Sequence, residues 1–528
     1  MKKRVLSMVL AALLCCSVFS GCNDKKEETV TKTDEKAFTY WLEMPTGSAT
    51  FVSNIGEISL YKEMEKLTGV KVTFIHPPTG QAAEKFNLMM ASKEFPDAIE
   101  YNWAKYQGGA TKAVSDNVLF PLNDIMDKHA PNLAAIMKEY PEVAKEATTM
   151  NGEYYGFHAI NLNQSFVYGG LIVRKDWLDD LGMEPPETIE EWETMLRAFK
   201  EKKGAIAPLS LQAGHFITAS GCPHFTTAYN IAEGYFVNED GKVCYGPYED
   251  VYKDYLTTMN RWYKEGLLDK EFATINGSAA NSRMLEGQSG STYAFIGGGM
   301  GPLLNAWKAR GDDKNDLIAV QYPVLNKGDI PNHLPKFSYA STPIVGITTK
   351  AKNPEVIASW FDYFYTEEGI RLACNGVEGE TYNMVDDKIE FTDFVANNPD
   401  GLSIKEVLAQ YARPYTTPGF TPKSSIDSED ISSYPYQSQK DALKLWSTYA
   451  ENAKQYQLPN LEYSVEAGEE RANLHLEINS YAEEMIMRFI MGDEPLENFE
   501  KYQATLKKMG IEKLLKIQQD AYDQYSKK

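Results

Sequence analysis

Three of the chain's six cysteines, Cys15, Cys16 and Cys22, fall within eight residues. Thiols at that density could do redox chemistry or hold a metal as thiolates. Their flanks argue for something else. Lys2, Lys3 and Arg4 precede an apolar stretch over residues 5–19, too short for a comfortable membrane span. The small pair Ser20-Gly21 then stands just before Cys22. That is the layout of an export signal, in which Cys15 and Cys16 serve only as small apolar residues. Cys222, Cys244 and Cys374 allow at most one bridge plus a free thiol. The spacing of Cys222 and Cys244 permits a disulfide; three buried small hydrophobes is an equally good reading. The seven histidines form no cluster with ligand spacing, and neither HExxH nor GxSxG occurs. With 74 acids in the chain, adjacent pairs such as Asp179/Asp180 and Glu190/Glu191 carry little weight. Neighbouring residues on a helix face different directions. A secreted glycoside hydrolase would need two opposed carboxylates; it is the main catalytic alternative. The expectation is a chain that is not an enzyme and uses no cofactor.

The formal net charge of −21 argues against a nucleic-acid partner, because phosphate binding needs a basic surface. Aromatics make up 12%, with 32 Tyr and 8 Trp. Most belong in cores, but amphipathic rings also stack on the C–H faces of sugars. At 528 residues the chain has room for two or three domains. Residues 1–21 with Cys22 resemble the bacterial lipoprotein signal, with Phe19 where an aliphatic residue is usual. The resemblance implies cleavage before Cys22 and a diacylglyceryl group on its sulfur. Residues 22–36 are polar and of mixed charge, so they read as a disordered tether. No later run of apolar residues is long enough to span a bilayer.

After the tether, strand and helix patterns alternate. Residues 37–43 and 70–75 are strand-like, and between them Leu60, Met64 and Leu67 recur at helical spacing up to Gly69. A second helix leads to Pro96-Asp97 and a strand over 98–103. This alternation predicts a mostly parallel sheet, whose ligands sit beyond the strands' carboxyl ends. Thr188 and Glu191 form a capping-box pattern. Asn151-Gly152 and Asp240-Gly241 mark hairpins. The last 150 residues read as mainly helical.

Several segments in order carry a family resemblance: PDAIEYNW, NGEYYGF, LIVRKDWLDDLGMEPPETIEEW, WYKEGLLDKEF, NPEVIASWFDYFYTEEG, GVEGETYNMV and YAEEMIMRFIMG. The chain resembles the extracellular solute-binding proteins of ABC importers, in particular the large lipoproteins of carbohydrate uptake in Gram-positive bacteria. That implies an α/β fold of two lobes joined by three crossovers and closing like a flytrap on a solute. The expected crossings lie near residues 157–168, 297–318 and 364–376. They give an N-lobe of 37–160 and 319–365 and a C-lobe of 161–318 and 366–528. The resemblance further implies a lipid-anchored, extracellular monomer that delivers an oligosaccharide to the transmembrane subunits of an ABC permease. Peptides or other polar solutes stay open, as does a surface sensor or adhesin with the same fold.

Candidate ligand residues follow from the same likeness. Trp41 and Glu43 end the first strand, where relatives bond sugar hydroxyls. Asn102, Trp103 and Tyr106 follow the third strand, with Trp103 as the stacking ring. Tyr168 lies where the first crossing enters the C-lobe, and His224 is in a loop where relatives place an aromatic. In GGGMG (297–301), Gly298 would let backbone N–H groups approach a ligand, with Met300 as an adaptable apolar contact. Glu378 and Tyr382 stand near the third crossing. Many long relatives carry a calcium loop after the helix corresponding to EEWETMLRAFKEK (190–202). Here that helix runs into KKGAIAPLSL, without the ladder of oxygen ligands calcium needs, so no metal is expected.

Overall fold

The computed structural model describes residues 36–163, 166–216, 224–312, 314–335, 338–386, 388–400, 402, 404–413, 418–423 and 434–527. The signal, Cys22, the tether and Cys222 lie outside them. The described strands are β1 (Ala37–Trp41), β2 (Lys71–Ile75), β3 (Ala98–Tyr101), β4 (Phe157–Asn161), β5 (Gly169–Arg174), β6 (Leu209–Ser210), β7 (Tyr235–Val237), β8 (Val243–Tyr245), β9 (Ser291–Phe295), β10 (Leu317–Ala319), β11 (Ala340–Ile347), β12 (Tyr382–Val385), β13 (Lys388–Phe391) and β14 (Gly419–Thr421).

Two main sheets organise them, one in the order β14-β4-β11-β3-β1-β2 and one in the order β10-β5-β9-β6. In the first, β1 is parallel to β2 and β3, and β14 is parallel to β4. Only β11 runs against its neighbours β3 and β4. The carboxyl ends of β1, β2, β3, β4 and β14 therefore share one edge. In the second sheet β5 runs antiparallel to β9 and β10, and β6 runs with β9. The start of β5 and the ends of β6, β9 and β10 thus share an edge. The chain leaves the first sheet at the end of β4 for the start of β5 and returns from the end of β10 to the start of β11, so both of these crossings join the two edges. A two-lobe molecule with its cleft between strand ends follows from that connectivity.

Local sequence explains the elements. Helix Ser59–Thr68 buries Leu60, Tyr61 and Met64 on one face, and Gly69, at φ 65°, ends it in the left-handed conformation that glycine adopts without strain. Leu67, also at helical spacing, is exposed. Helix Ile189–Lys203 carries the expected capping box: Glu191 N–H donates to Thr188 Oγ1 at 3.3 Å, and Thr188 N–H donates to Glu191 Oε2 at 3.1 Å. β7 and β8 form the hairpin expected around Asp240-Gly241.

Each sheet has its own core. Phe38, Tyr40, Leu60, Phe157, Val345, Trp360 and Phe361 pack together on the first. Leu171, Trp192, Phe199, Trp262, Phe489 and Tyr502 do so on the second. Helices Val465–Met491, Phe499–Met509 and Ile511–Tyr525 bury Ile478, Ile486, Leu506 and Leu514 in that second core.

The later crossings differ from the sequence reading. β10 pairs with β5 from Leu317↔Arg174 to Ala319↔Ile172, so the chain returns to the first sheet only between residues 319 and 340, after the expected 297–318. The stretch 366–423, expected in the second lobe, packs on the first sheet. Leu372 and Ala373 join the first core, and β14 adds a strand beside β4. A buried ion pair fixes the arrangement: Arg413 Nη2 lies 2.9 Å from Glu100 Oε1 of β3, while Arg413 Nη1 donates to Tyr61 Oη at 2.9 Å. Tyr40 Oη also donates to Glu100. The next described helix, Gln437–Trp446, packs Leu443 and Trp446 with Ile172 and Leu317 of the second sheet. Short strands such as β10 and β14 have too few residues to show a period in sequence.

Candidate solute-binding cleft

On the first edge, Trp41 is buried against Phe86 and Tyr101, with ring centroids at 6.5 and 6.1 Å. Glu43 is exposed beyond it. Its charge, after burial, helps raise the Tyr101 hydroxyl above its ordinary value, which puts Glu43 beside that ring. Asn102 caps the short turn Trp103–Lys105, its side-chain oxygen accepting from Ala104 N–H at 3.1 Å. Tyr106 is half-buried and donates to Asp116 Oδ2 at 2.7 Å.

Trp103 corrects the sequence reading most sharply. It is 0% exposed, and its Nε1–H donates to the Ile344 carbonyl at 3.1 Å. A Cβ on Gly346 of β11 would stand 3.2 Å from its ring, so the strand closes directly over the indole. The residue expected to stack on ligand is a core residue that braces β3 against β11.

On the second edge, Tyr168 is half-buried edge-on to Phe166, and its carbonyl accepts from Ile296 N–H at 2.9 Å. His224 lies under the surface at 3% exposure. Its ring rests on Tyr293 and His215, at centroid distances of 4.7 and 4.8 Å. Burial, then the neighbouring His224, lowers the His215 pKa to about 3. The His224 N–H donates to buried Glu233 at 3.1 Å, so His224 backs the edge instead of lining it. Residues 296–300 wind into the helix Gly301–Arg310. Gly298 is exposed with open space around it. Met300 is 0% exposed in the core with Leu303 and Trp307, so it offers a ligand nothing. Glu378 is exposed, and Tyr382 is buried beside Arg371, in and next to the β12–β13 hairpin, a two-stranded sheet of its own. The structure does not group them with the strand-end residues.

Sequence reasoning missed Phe295. It ends β9, is 48% exposed, and stands edge-on to Tyr293 at 5.6 Å and 88°. Its place as the last residue of an alternating strand, just before a glycine run, was the available signal. Tyr434 is a second missed ring, 3.5 Å from where a Cβ on Gly297 would be. Together the edges present half-buried rings, a carboxylate and open backbone, which suits a polar, hydroxyl-rich solute. Among the described residues no group of three or more His, Cys, Asp or Glu could hold a metal ion.

A family model, the bacterial extracellular solute-binding protein, matches residues 50–370, more than half of the chain. The chain belongs to that family. Among its relatives, lipoprotein LipO of Bacillus subtilis is 26% identical over 84% of each chain. The fructooligosaccharide ABC transporter substrate-binding protein FusA of Streptococcus pneumoniae is 25% identical over 99% of this chain and 97% of its own. The solved structure of FusA in complex with kestose superposes at a TM-score of 0.73 with 20% identity, over 93% of this chain and 99% of that one. The alginate-binding protein AlgQ2 superposes at 0.70 with 22% identity, over 93% and 99%. At those identities the structural likeness speaks for the fold, and the two-lobe architecture of this solute-binding protein agrees with it.

Proposed function

We propose that this solute-binding protein captures an oligosaccharide between its two lobes outside the cell and delivers it to an ABC permease, without chemical turnover. The carrying observation is the pair of facing strand edges, with Glu43, Tyr101 and Tyr106 on one and Tyr168, Gly298 and Phe295 on the other. Carbohydrate is favoured over peptide by relatives described as binding fructooligosaccharide, polygalacturonan and melibiose or raffinose. We assign residues 37–162 and 340–421 to the first lobe and 168–319 and 437–525 to the second. The protein acts as a monomer held by a diacylglyceryl group on Cys22, a two-chain anchor strong enough for stable attachment. A ligand that gains second-lobe contacts only on closure shifts the open–closed equilibrium by that differential affinity.

A thermal-shift screen of the chain against neutral oligosaccharides, oligogalacturonates, peptides and amino acids tests this reading. A binding glycan at a hundred times its Kd should stabilise the fold by about 2.7 kcal/mol. Stabilisation by a peptide and by no glycan would overturn it, and released sugar product would revive the hydrolase. Mass spectrometry of the mature protein should find lipid on Cys22 and no residue before it.

A further inference from the structure

The second lobe touches the first at a place none of the crossings accounts for. Helix Gly109–Ser115 follows β3 and its Tyr106 loop. Thr111 Oγ1 donates to Glu462 Oε2 at 2.9 Å and accepts from Met150 N–H at 3.2 Å. Lys112 Nζ lies 2.9 Å from Asp116 Oδ1 and 3.6 Å from Glu469 Oε1. Glu469 belongs to helix Val465–Met491, which is seated in the second core. In the same turn a Cβ on Gly468 would stand 3.0 Å from the Gly108 carbonyl oxygen, so helix and loop backbones are in direct contact. Upstream, Asn460 Nδ2 donates to Ser338 Oγ at 2.6 Å, and Ser338 in turn donates to Glu146. Residues 460–469 thus run from the second crossing onto the loop and helix after β3. The crossings attach to β14, β4 and β11, three adjacent strands of the first sheet, and β3 is the next strand in line.

We propose that residues 460–469 form a non-covalent latch beside the hinge, holding the lobes in the arrangement described here. The inference rests on the two-lobe reading above and adds a control on its motion. The contacts are short hydrogen bonds, an ion pair and backbone packing. Such bonds weaken once the atoms part by a few tenths of an ångström, so the lobes cannot rotate without loosening them. The latch also reaches the cleft. Tyr106 and Lys112 share the Asp116 carboxylate, and Lys112 is shared in turn with Glu469. A solute hydroxyl that draws the Tyr106 hydroxyl away leaves Asp116 to hold Lys112 alone, at the expense of Glu469.

The test needs no ligand. Spin labels at Leu88→Cys and Ile206→Cys, two exposed positions on different lobes, report the interlobe distance in the full chain with Cys222, Cys244 and Cys374 replaced by serine. The unmutated latch should give one narrow distribution. Glu462→Gln with Glu469→Gln should broaden and displace it, changing the ratio of latched to unlatched molecules by about two- to fivefold, the range of exposed charge contacts. Glu469→Lys, which sets two ammonium groups against each other, should displace it further in the same direction. Glu470→Gln is the control: its partner Lys513 lies within the second lobe, so the distribution should not change. Circular dichroism melts verify folding of each variant. An unchanged distribution in both the Gln pair and Glu469→Lys overturns the latch. It leaves the carrier reading to its own thermal-shift test.

Discussion

Trp103 and Phe295 both stand at or just past the carboxyl end of a strand, yet the first is 0% exposed and the second 48%. The difference lies in what the neighbouring strand does. Beside Trp103, β11 runs past the strand end, supplies a carbonyl for the indole N–H and brings Gly346 down on the ring. Behind Phe295 stand Tyr293 and the start of β5, where a Cβ on Gly169 would lie 2.8 Å from the Phe295 ring. Its outer face stays open. At the first edge the Trp103 ring is spent on packing, while at the second the Phe295 ring is left exposed. Aromatic type at a strand end does not decide its role; closure by the next strand does.

The strongest way to break this comparison is Trp103→Ala. It should cost about 3–5 kcal/mol of stability, from lost burial and the cavity left between β3 and β11. Trp103→Phe keeps most of the volume but strands the Ile344 carbonyl, for about 1–3 kcal/mol. Urea denaturation reads both. If Trp103→Ala unfolds like the wild type but loses ligand affinity, the residue is a binding ring after all.

Acid should sharpen the contrast between lobes. Burial lowers His215 to about 3 and His333 and His475 to about 4, all three packed on the second lobe; in the first, burial lowers His158 to about 3 and also lowers half-buried His76, whose Nδ1 lies 3.0 Å from the Leu42 carbonyl. The neutral form is favoured in the folded state while the unfolded state keeps a pKa near 6.5. Stability is therefore complete above about pH 6.5 and falls as pH drops toward the folded values. At pH 5.5 a well-buried histidine of this kind loses about 1.4 kcal/mol. Hydrogen exchange at pH 7 and 5.5, corrected for intrinsic rates, should show β5 and β9 losing more protection than β1 and β3. Equal loss in the two sheets would remove the asymmetry.

The sequence made some of this legible and not the rest, for physical reasons. The β1–helix–β2 unit and the Thr188–Glu191 cap depend on residues within a few positions of one another, and periodicity or spacing reveals them. The burial of Trp103 depends on a carbonyl 241 residues away, at Ile344. The seat of residues 404–413 on the first lobe depends on Arg413 meeting Glu100, 313 residues upstream. No local pattern encodes such contacts. The family likeness supplied two lobes and crossings between them, but the positions of the second and third crossings depend on strands of three residues. Of the expected ligand residues, Glu43, Asn102, Tyr106, Tyr168 and Gly298 lie next to strand ends and are exposed or half-buried. Trp41, Trp103, His224 and Met300 lie behind them, because apolar and ring-bearing side chains near a strand end are drawn into the nearest core.

The smallest effect is also the most discriminating. Phe295→Ala removes an exposed ring, so stability should change by no more than about 0.5 kcal/mol. If the ring stacks on the solute, affinity should fall by about 0.5–1.5 kcal/mol, the worth of an aromatic contact beyond its area. Phe295→Tyr keeps the ring and should retain affinity. Titration calorimetry with whichever glycan the thermal-shift screen selects measures both variants. Unchanged affinity in Phe295→Ala would show that exposure at the second edge, like aromatic type at the first, does not by itself mark a binding ring.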